Sequence, residues 1–180
     1  MNILKYEYQK ACDTVSDIHE HLPFLYELAK TCNSVTEFGV RIGMSTRAFL
    51  YANVKLRSYD LFINPELDLL FEFAIKNNQD VKYIQADTRI VSVEPCDMLF
   101  IDTLHTYQQL KKELELHIDI VNRYIVFHDI QSYGTIGEDG QLGLLPAILE
   151  LLRDNFNWRV RNIFTNNNGI LVIEKIKENN

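Results

Sequence analysis

Residues 35–46 read VTEFGVRIGMST, and no other stretch of the chain limits its fold as tightly. Val35–Val40 is a short apolar run with Glu37 and Gly39 near its end. Gly43 follows four residues later, and Met44, Ser45 and Thr46 open a segment with helical spacing through Ala48, Phe49, Leu50 and Ala52. Strand, glycine turn and helix in this order bring a ligand up to bare backbone at a helix N-terminus. The turn spells E-x-G-x-x-x-G-x-S. It is neither the dinucleotide fingerprint G-x-G-x-x-G nor the phosphate loop G-x-x-x-x-G-K-S/T, and it lacks the lysine a triphosphate needs. Its glycines suit a tight turn and close ligand approach. A carboxylate on such a turn repels phosphate but can hold an ammonium or a hydroxyl.

The rest of the chain repeats the strand–helix alternation. Residues 1–16 are polar and mixed, readable as a short helix or a loose arm. Ile18, Leu22, Leu25, Leu28 and Ala29 predict an amphipathic helix over 17–31, with Pro23 marking a first turn or a break. Strands are expected at 35–40, 55–60, 81–85, 97–102, 123–127, 158–164 and 170–175, and helices at 45–53, 65–76, 107–121 and 144–155. Alternation from 35 to 155 implies a parallel sheet with helices on both faces. Asn166–Gly169 reads as the turn of a closing hairpin. The glycine-rich segment 131–143, with Glu138 and Asp139, has no apolar periodicity and reads as a loop, a candidate lid or substrate selector.

A chain of 180 residues, 47% apolar, is expected to form a single domain, with a helical segment at 1–31 and the α/β core at 35–175. No apolar run approaches the roughly 20 residues of a membrane span. The start MNILKYEYQK lacks the pattern of a signal peptide. Cys12, Cys32 and Cys96 have no metal-site spacing, and their odd number fits reduced thiols in a cytoplasm. A net charge of −7 disfavours nucleic acid as a partner.

In an open parallel sheet, ligands bind beyond the carboxyl ends of the strands. Asp60, Asp87, Asp102 and Asp129 all fall at or just past such ends. Each alone could be a loop-initiating or helix-capping aspartate. Asp60 lies 17 residues after Gly43, close to the roughly 20-residue spacing at which an acid meets ribose hydroxyls in dinucleotide folds.

These segments together carry a resemblance. EFGVRIGMS, SYDL, QADT, DMLFIDTLHTYQQLKKEL and FHDI occur in the order found in class I S-adenosylmethionine-dependent methyltransferases. The chain is similar to the group that includes macrocin O-methyltransferase and cephalosporin hydroxylase-like enzymes. The resemblance implies a Rossmann-like three-layer α/β/α sandwich, its seven-stranded sheet ordered 3-2-1-4-5-7-6 with strand 7 antiparallel. It implies S-adenosylmethionine as cofactor, Glu37, Gly39, Gly43 and Ser45 lining its methionine part, Asp60 on the ribose, Asp87 at the adenine edge and Asp102 under the methyl group. The implied reaction is O-methylation of a small polar acceptor.

His105, three residues past Asp102, is a candidate general base. Asp102, His128 and Asp129 form a candidate site for a divalent cation such as magnesium, since neighbouring carboxylates repel unless a cation or a proton lies between them. Related metal-dependent O-methyltransferases offer oxygen where this chain has His128, and a histidine suits a softer ion or none. Two other readings stay open: a nicotinamide-dependent oxidoreductase on a similar fold, and a nucleoside-binding protein without chemistry. The acceptor and the oligomeric state, homo-oligomer included, are left open.

Overall fold

The computed structural model describes residues 2–176. One seven-stranded sheet runs in the order β3-β2-β1-β4-β5-β7-β6. Its strands are β1 (Ser34–Phe38), β2 (Lys55–Asp60), β3 (Val81–Gln85), β4 (Cys96–Ile101), β5 (Val121–His128), β6 (Trp158–Phe164) and β7 (Ile170–Lys175). Pairs among the first five are parallel, and β7 is antiparallel to both β5 and β6. This is the order that the resemblance implies, antiparallel strand 7 included.

The two faces carry separate cores. On one, α1 (Ile3–Asp13), α2 (Leu22–Ala29), α3 (Met44–Ala52) and α4 (Pro65–Lys76) bury Leu25, Phe49, Leu50 and Leu67 against Leu56, Met98 and Phe100. On the other, α5 (Tyr107–His117) and α6 (Leu144–Asp154) bury Leu110, Leu114 and Ile148 against Leu99, Ile125 and Phe127. Every residue of β4 is buried, as a central parallel strand requires.

Three elements differ from expectation. Residues 3–13 form a full helix, capped by Asn2 through a 3.2 Å bond from the Lys5 amide. Only Leu4, Tyr8 and Ala11 are buried on it, a stripe too thin to stand out among polar residues. The helix expected over 17–31 divides into a one-turn 3-10 helix, His19–His21, and α2, with Pro23 in the first turn of α2 where its missing N–H is harmless. The helix expected over 107–121 ends at His117, and a 3-10 turn at Ile118–Ile120 leads into β5. Among the described residues no helix is long and apolar enough to cross a membrane.

The hairpin turn between β6 and β7 reaches across to the N-terminal segment. Asn167 and Asn168 adopt left-handed backbone (φ 45° and 67°). Asn167 Nδ2 donates to the Ser16 carbonyl at 2.7 Å, and His21 Nε2 donates to the Asn166 carbonyl at 2.9 Å. The segment from 16 to 21 is thereby fastened beside the carboxyl end of β5.

Candidate active site

At the end of β1 the backbone passes directly over the end of β4. The Asp102 amide donates to the Phe38 carbonyl at 2.8 Å, and the Gly39 amide to the Tyr59 carbonyl at 2.9 Å. Gly39 has φ +84°, and a Cβ there would stand 1.9 Å from the Asp102 carbonyl oxygen. The first glycine is therefore required by chain against chain. Gly43 (φ +73°) caps α3, where a Cβ would press on Leu67.

Glu37 and Ser45 lie beneath this loop and outside the cavity lining. Glu37 is fully buried, and its carboxylate accepts from Ser45 Oγ (2.6 Å), Ser58 Oγ (2.6 Å) and Thr46 Oγ1 (3.0 Å). Burial pushes its carboxyl up to about 7, against the three hydroxyl bonds that lower it. This acid holds β1, β2 and the start of α3 together. A raised folded-state pKa means that the contribution is present below the unfolded value of 4.5 and is lost as pH rises through about 7. Glu37→Gln keeps an acceptor and adds a donor that a rotated hydroxyl can receive. It is expected to flatten the fall in melting temperature between pH 5 and pH 8, removing a loss on the order of 3 kcal/mol. An unchanged pH dependence in the variant would contradict this role.

Asp60, the last residue of β2, binds the same loop from the other side. Its Oδ2 accepts from the Val40 and Arg41 amides at 2.7 and 2.9 Å, and its Oδ1 from the Phe62 amide at 3.0 Å. Arg41 is drawn into left-handed backbone (φ 50°), and its guanidinium pairs with Asp17 at 2.6 Å. Asp60 lines a cavity of about 460 Å³ at the carboxyl edge of the sheet, along with Gly39, Asp87, Asp102, His105 and Gln109. That volume falls in the range of cofactor and drug-sized ligand sites. With one amide partner, Oδ1 keeps lone-pair capacity for a further donor.

Asp87 also reaches the cavity, but its carboxylate is gripped by Arg89. Arg89 Nε stands 2.9 Å from Oδ1, and a terminal nitrogen 2.7 Å from Oδ2. These bonds hold the Asp87 carboxyl below its ordinary range.

At the other end of the cavity two acids and two histidines interlock. Asp102 follows β4, and Asp129 follows β5 in left-handed backbone (φ 61°). His105 Nε2 lies 2.8 Å from Asp129 Oδ2 and 3.3 Å from Asp102 Oδ1. His128 Nδ1 lies 3.0 Å from Asp129 Oδ2 and 3.2 Å from Asp102 Oδ1. His128 Nε2 donates to the Asp17 carbonyl at 3.2 Å, so both its nitrogens face acceptors. Burial lowers the pKa of both histidines, but the two carboxylates outweigh it. His105 rises to about 9 and His128 to about 10. Burial raises Asp129, and the two imidazoles override this and hold it far below the carboxylate range.

Residues from the long loop and the hairpin complete this end. The loop folds back on itself through an Ile136–Leu142 bridge and is tied to α5 by a 2.9 Å bond from the Tyr107 amide to the Leu142 carbonyl. Tyr133 stacks on His105 at 4.8 Å, and Glu138 accepts from the His105 amide at 2.7 Å. Asn168 Nδ2 donates to Asp129 Oδ1 at 2.8 Å. Tyr133 and Asn168 carry no sequence signal for this role beyond a loop and a turn.

Asp102, His128 and Asp129 present three ligand atoms within 4.8 Å of one another. The inner oxygens already receive histidine N–H groups, and the set contains a nitrogen where magnesium favours oxygen. The donor set does not suit magnesium.

No protein-family model and no curated protein matches the chain by sequence. Its fold is similar to that of several solved methyltransferases. One is the S-adenosylhomocysteine-bound methyltransferase PaMTH1 of Podospora anserina (14% identity, 98% of this chain and 89% of that one, TM-score 0.66). Another is the 1,6-didemethyltoxoflavin-N1-methyltransferase of Burkholderia thailandensis, also with S-adenosylhomocysteine bound (15%, 90% and 79%, TM-score 0.66). A third is a candidate caffeoyl-CoA O-methyltransferase of Staphylococcus aureus (17%, 90% and 85%, TM-score 0.60). The chain has the class I methyltransferase fold.

Proposed function

We propose that the protein transfers a methyl group from S-adenosylmethionine to a hydroxyl oxygen of a small polar acceptor. The observation that carries this reading is one cavity with an under-used ribose-type carboxylate, Asp60, at one end and the His105–Asp102–Asp129 cluster at the other. When bound, the cofactor supplies an electrophilic methyl on a sulfonium. The chain's own residues do the rest. Asp60 Oδ1 accepts from a sugar hydroxyl, and Gly39 brings bare backbone to the cavity wall. Asp102 adds negative charge where a sulfonium is to be held.

His105 removes the acceptor proton. It carries a proton of its own at neutral pH, because Asp102 and Asp129 raise its pKa to about 9. The basic form is therefore scarce at pH 7 and grows with pH. The rate constant kcat/KM is expected to rise roughly tenfold per pH unit below that value.

The test is transfer of labelled methyl from S-adenosylmethionine to a panel of hydroxylated and amine-bearing small molecules, read across pH 6–10 with and without EDTA. Methylated oxygen, a rate rising toward pH 9 and full activity in EDTA are expected. Turnover only on amines would overturn the oxygen assignment, and no turnover with any acceptor would favour a silent nucleoside-binding protein. Activity lost in EDTA and restored by magnesium or manganese would replace the histidine mechanism by a metal at Asp102, His128 and Asp129. Saturable binding of reduced nicotinamide cofactor, in place of S-adenosylhomocysteine, would favour the oxidoreductase reading.

A further inference from the structure

Beneath the β3 side of the cavity lies a buried acid that this mechanism leaves unused. Glu113, on α5, is fully buried. Its Oε1 accepts from Thr88 Oγ1 at 2.5 Å and from Gln109 Nε2 at 2.7 Å, and its Oε2 accepts from Thr103 Oγ1 at 2.9 Å. One carboxylate thus joins the chain after β3, the chain after β4 and the first turns of α5. Thr88, Thr103 and Gln109 all line the cavity.

The network fixes which way the Gln109 amide points. Its nitrogen donates to Glu113 Oε1 at 2.7 Å, with Thr88 Oγ1 beside that acceptor at 3.3 Å, so the nitrogen side of the amide is turned to the carboxylate. Turning the amide over would set its oxygen against the Glu113 carboxylate. The amide oxygen accepts nothing from the described residues. It is also not sealed in the interior, where the one unpartnered side-chain polar atom among them is Gln79 Oε1. It is an acceptor left open to the cavity. If the ribose lies at Asp60 and the reacting group at His105, the remaining corner, lined by Phe62, Ala86, Thr88 and Gln109, receives the base. Asp87, expected at the adenine edge, has both carboxylate oxygens held by Arg89.

We propose that Gln109 reads the 6-amino group of the purine, and that Glu113 is the positioning residue that locks its amide as an acceptor. This rests on the S-adenosylmethionine reading and adds the selection of an adenine base over a 6-oxo purine. A 6-oxo base sets a carbonyl against the fixed Gln109 oxygen, and the bond to Glu113 keeps that oxygen from turning away.

The experiment is calorimetric titration of the purified protein with S-adenosylhomocysteine and with its deaminated analogue, S-inosylhomocysteine. The wild type is expected to bind the adenosyl compound about 10–100-fold more tightly, the size of one unmet buried hydrogen bond. Gln109→Leu should lose that much affinity for the adenosyl compound and little for the inosyl one, so that the ratio falls toward one. Glu113→Gln, which lets the Gln109 amide turn, should lower the ratio chiefly by strengthening inosyl binding, an effect that loss of structure cannot produce. Equal affinities in the wild type overturn the proposal without any variant, as does wild-type discrimination in Gln109→Leu. If the wild type binds neither compound, the methyltransferase reading itself fails, and this proposal with it.

Discussion

His105→Ala is expected to lower kcat/KM by about 10²–10⁴-fold, the ordinary worth of a general base, with S-adenosylhomocysteine affinity held within a few-fold. The side chain lies between Asp102 and Asp129, faces the cavity and is stacked on Tyr133, so its ring is oriented before any acceptor arrives. The pH profile separates this role from a structural one. The wild-type rate should climb toward pH 9 as the imidazolium loses its proton, and the variant should show no such climb. A variant within tenfold of wild type, with the same pH slope, would remove His105 as the base. Steady-state kinetics with labelled cofactor, run on both proteins over pH 6–10, decides between these outcomes.

Gly39→Val should be the most destabilising single change at the site. The position combines φ +84° with a Cβ place 1.9 Å from the Asp102 carbonyl oxygen, so a side chain meets both backbone strain and rigid main chain. Adding typical costs for the two gives about 3–5 kcal/mol, or roughly a 10 °C fall in Tm for a chain of this size. Gly140 supplies the comparison. It has φ +76° and nothing within 4 Å of its Cβ place, so Gly140→Ala isolates the backbone cost, about 1 kcal/mol. Thermal unfolding of the two variants beside wild type checks the contrast. Equal, small shifts would mean that the end of β1 can move away from β4.

The sheet was legible because its punctuation is sharp. Asp60 closes β2, Pro65 opens α4, and Asn166–Gly169 turns the last hairpin, and these elements fall where the pattern places them. The edge of the site was legible for the same reason, since Asp60, Asp87, Asp102 and Asp129 stand where apolar strands stop. What each acid does there depends on partners far away in sequence. Glu37 is the clearest case: on a glycine turn it reads as a ligand group, but Ser45, Thr46 and Ser58 enclose it. Glu113 and Gln109 read as the polar side of a helix, and become a buried network only because Thr88 and Thr103 are brought against them. In the sequence, Asp102 and Asp129 are two acids at neighbouring strand ends that repel each other unless something lies between them. His105 and His128 place ring nitrogens within 3.3 Å of both acids, and only the folded chain sets both rings between the same two carboxylates.

Every role proposed for the site depends on the cavity at Asp60 holding S-adenosylmethionine. Its most direct test is calorimetric titration of the wild type and of Asp60→Ala with S-adenosylhomocysteine, with circular dichroism confirming that both are folded. Saturable one-to-one binding to the wild type is expected, with a loss of about tenfold or more in the variant, the worth of a hydrogen bond to a charged group. No binding to the folded wild type, or the same affinity in both proteins, would contradict it.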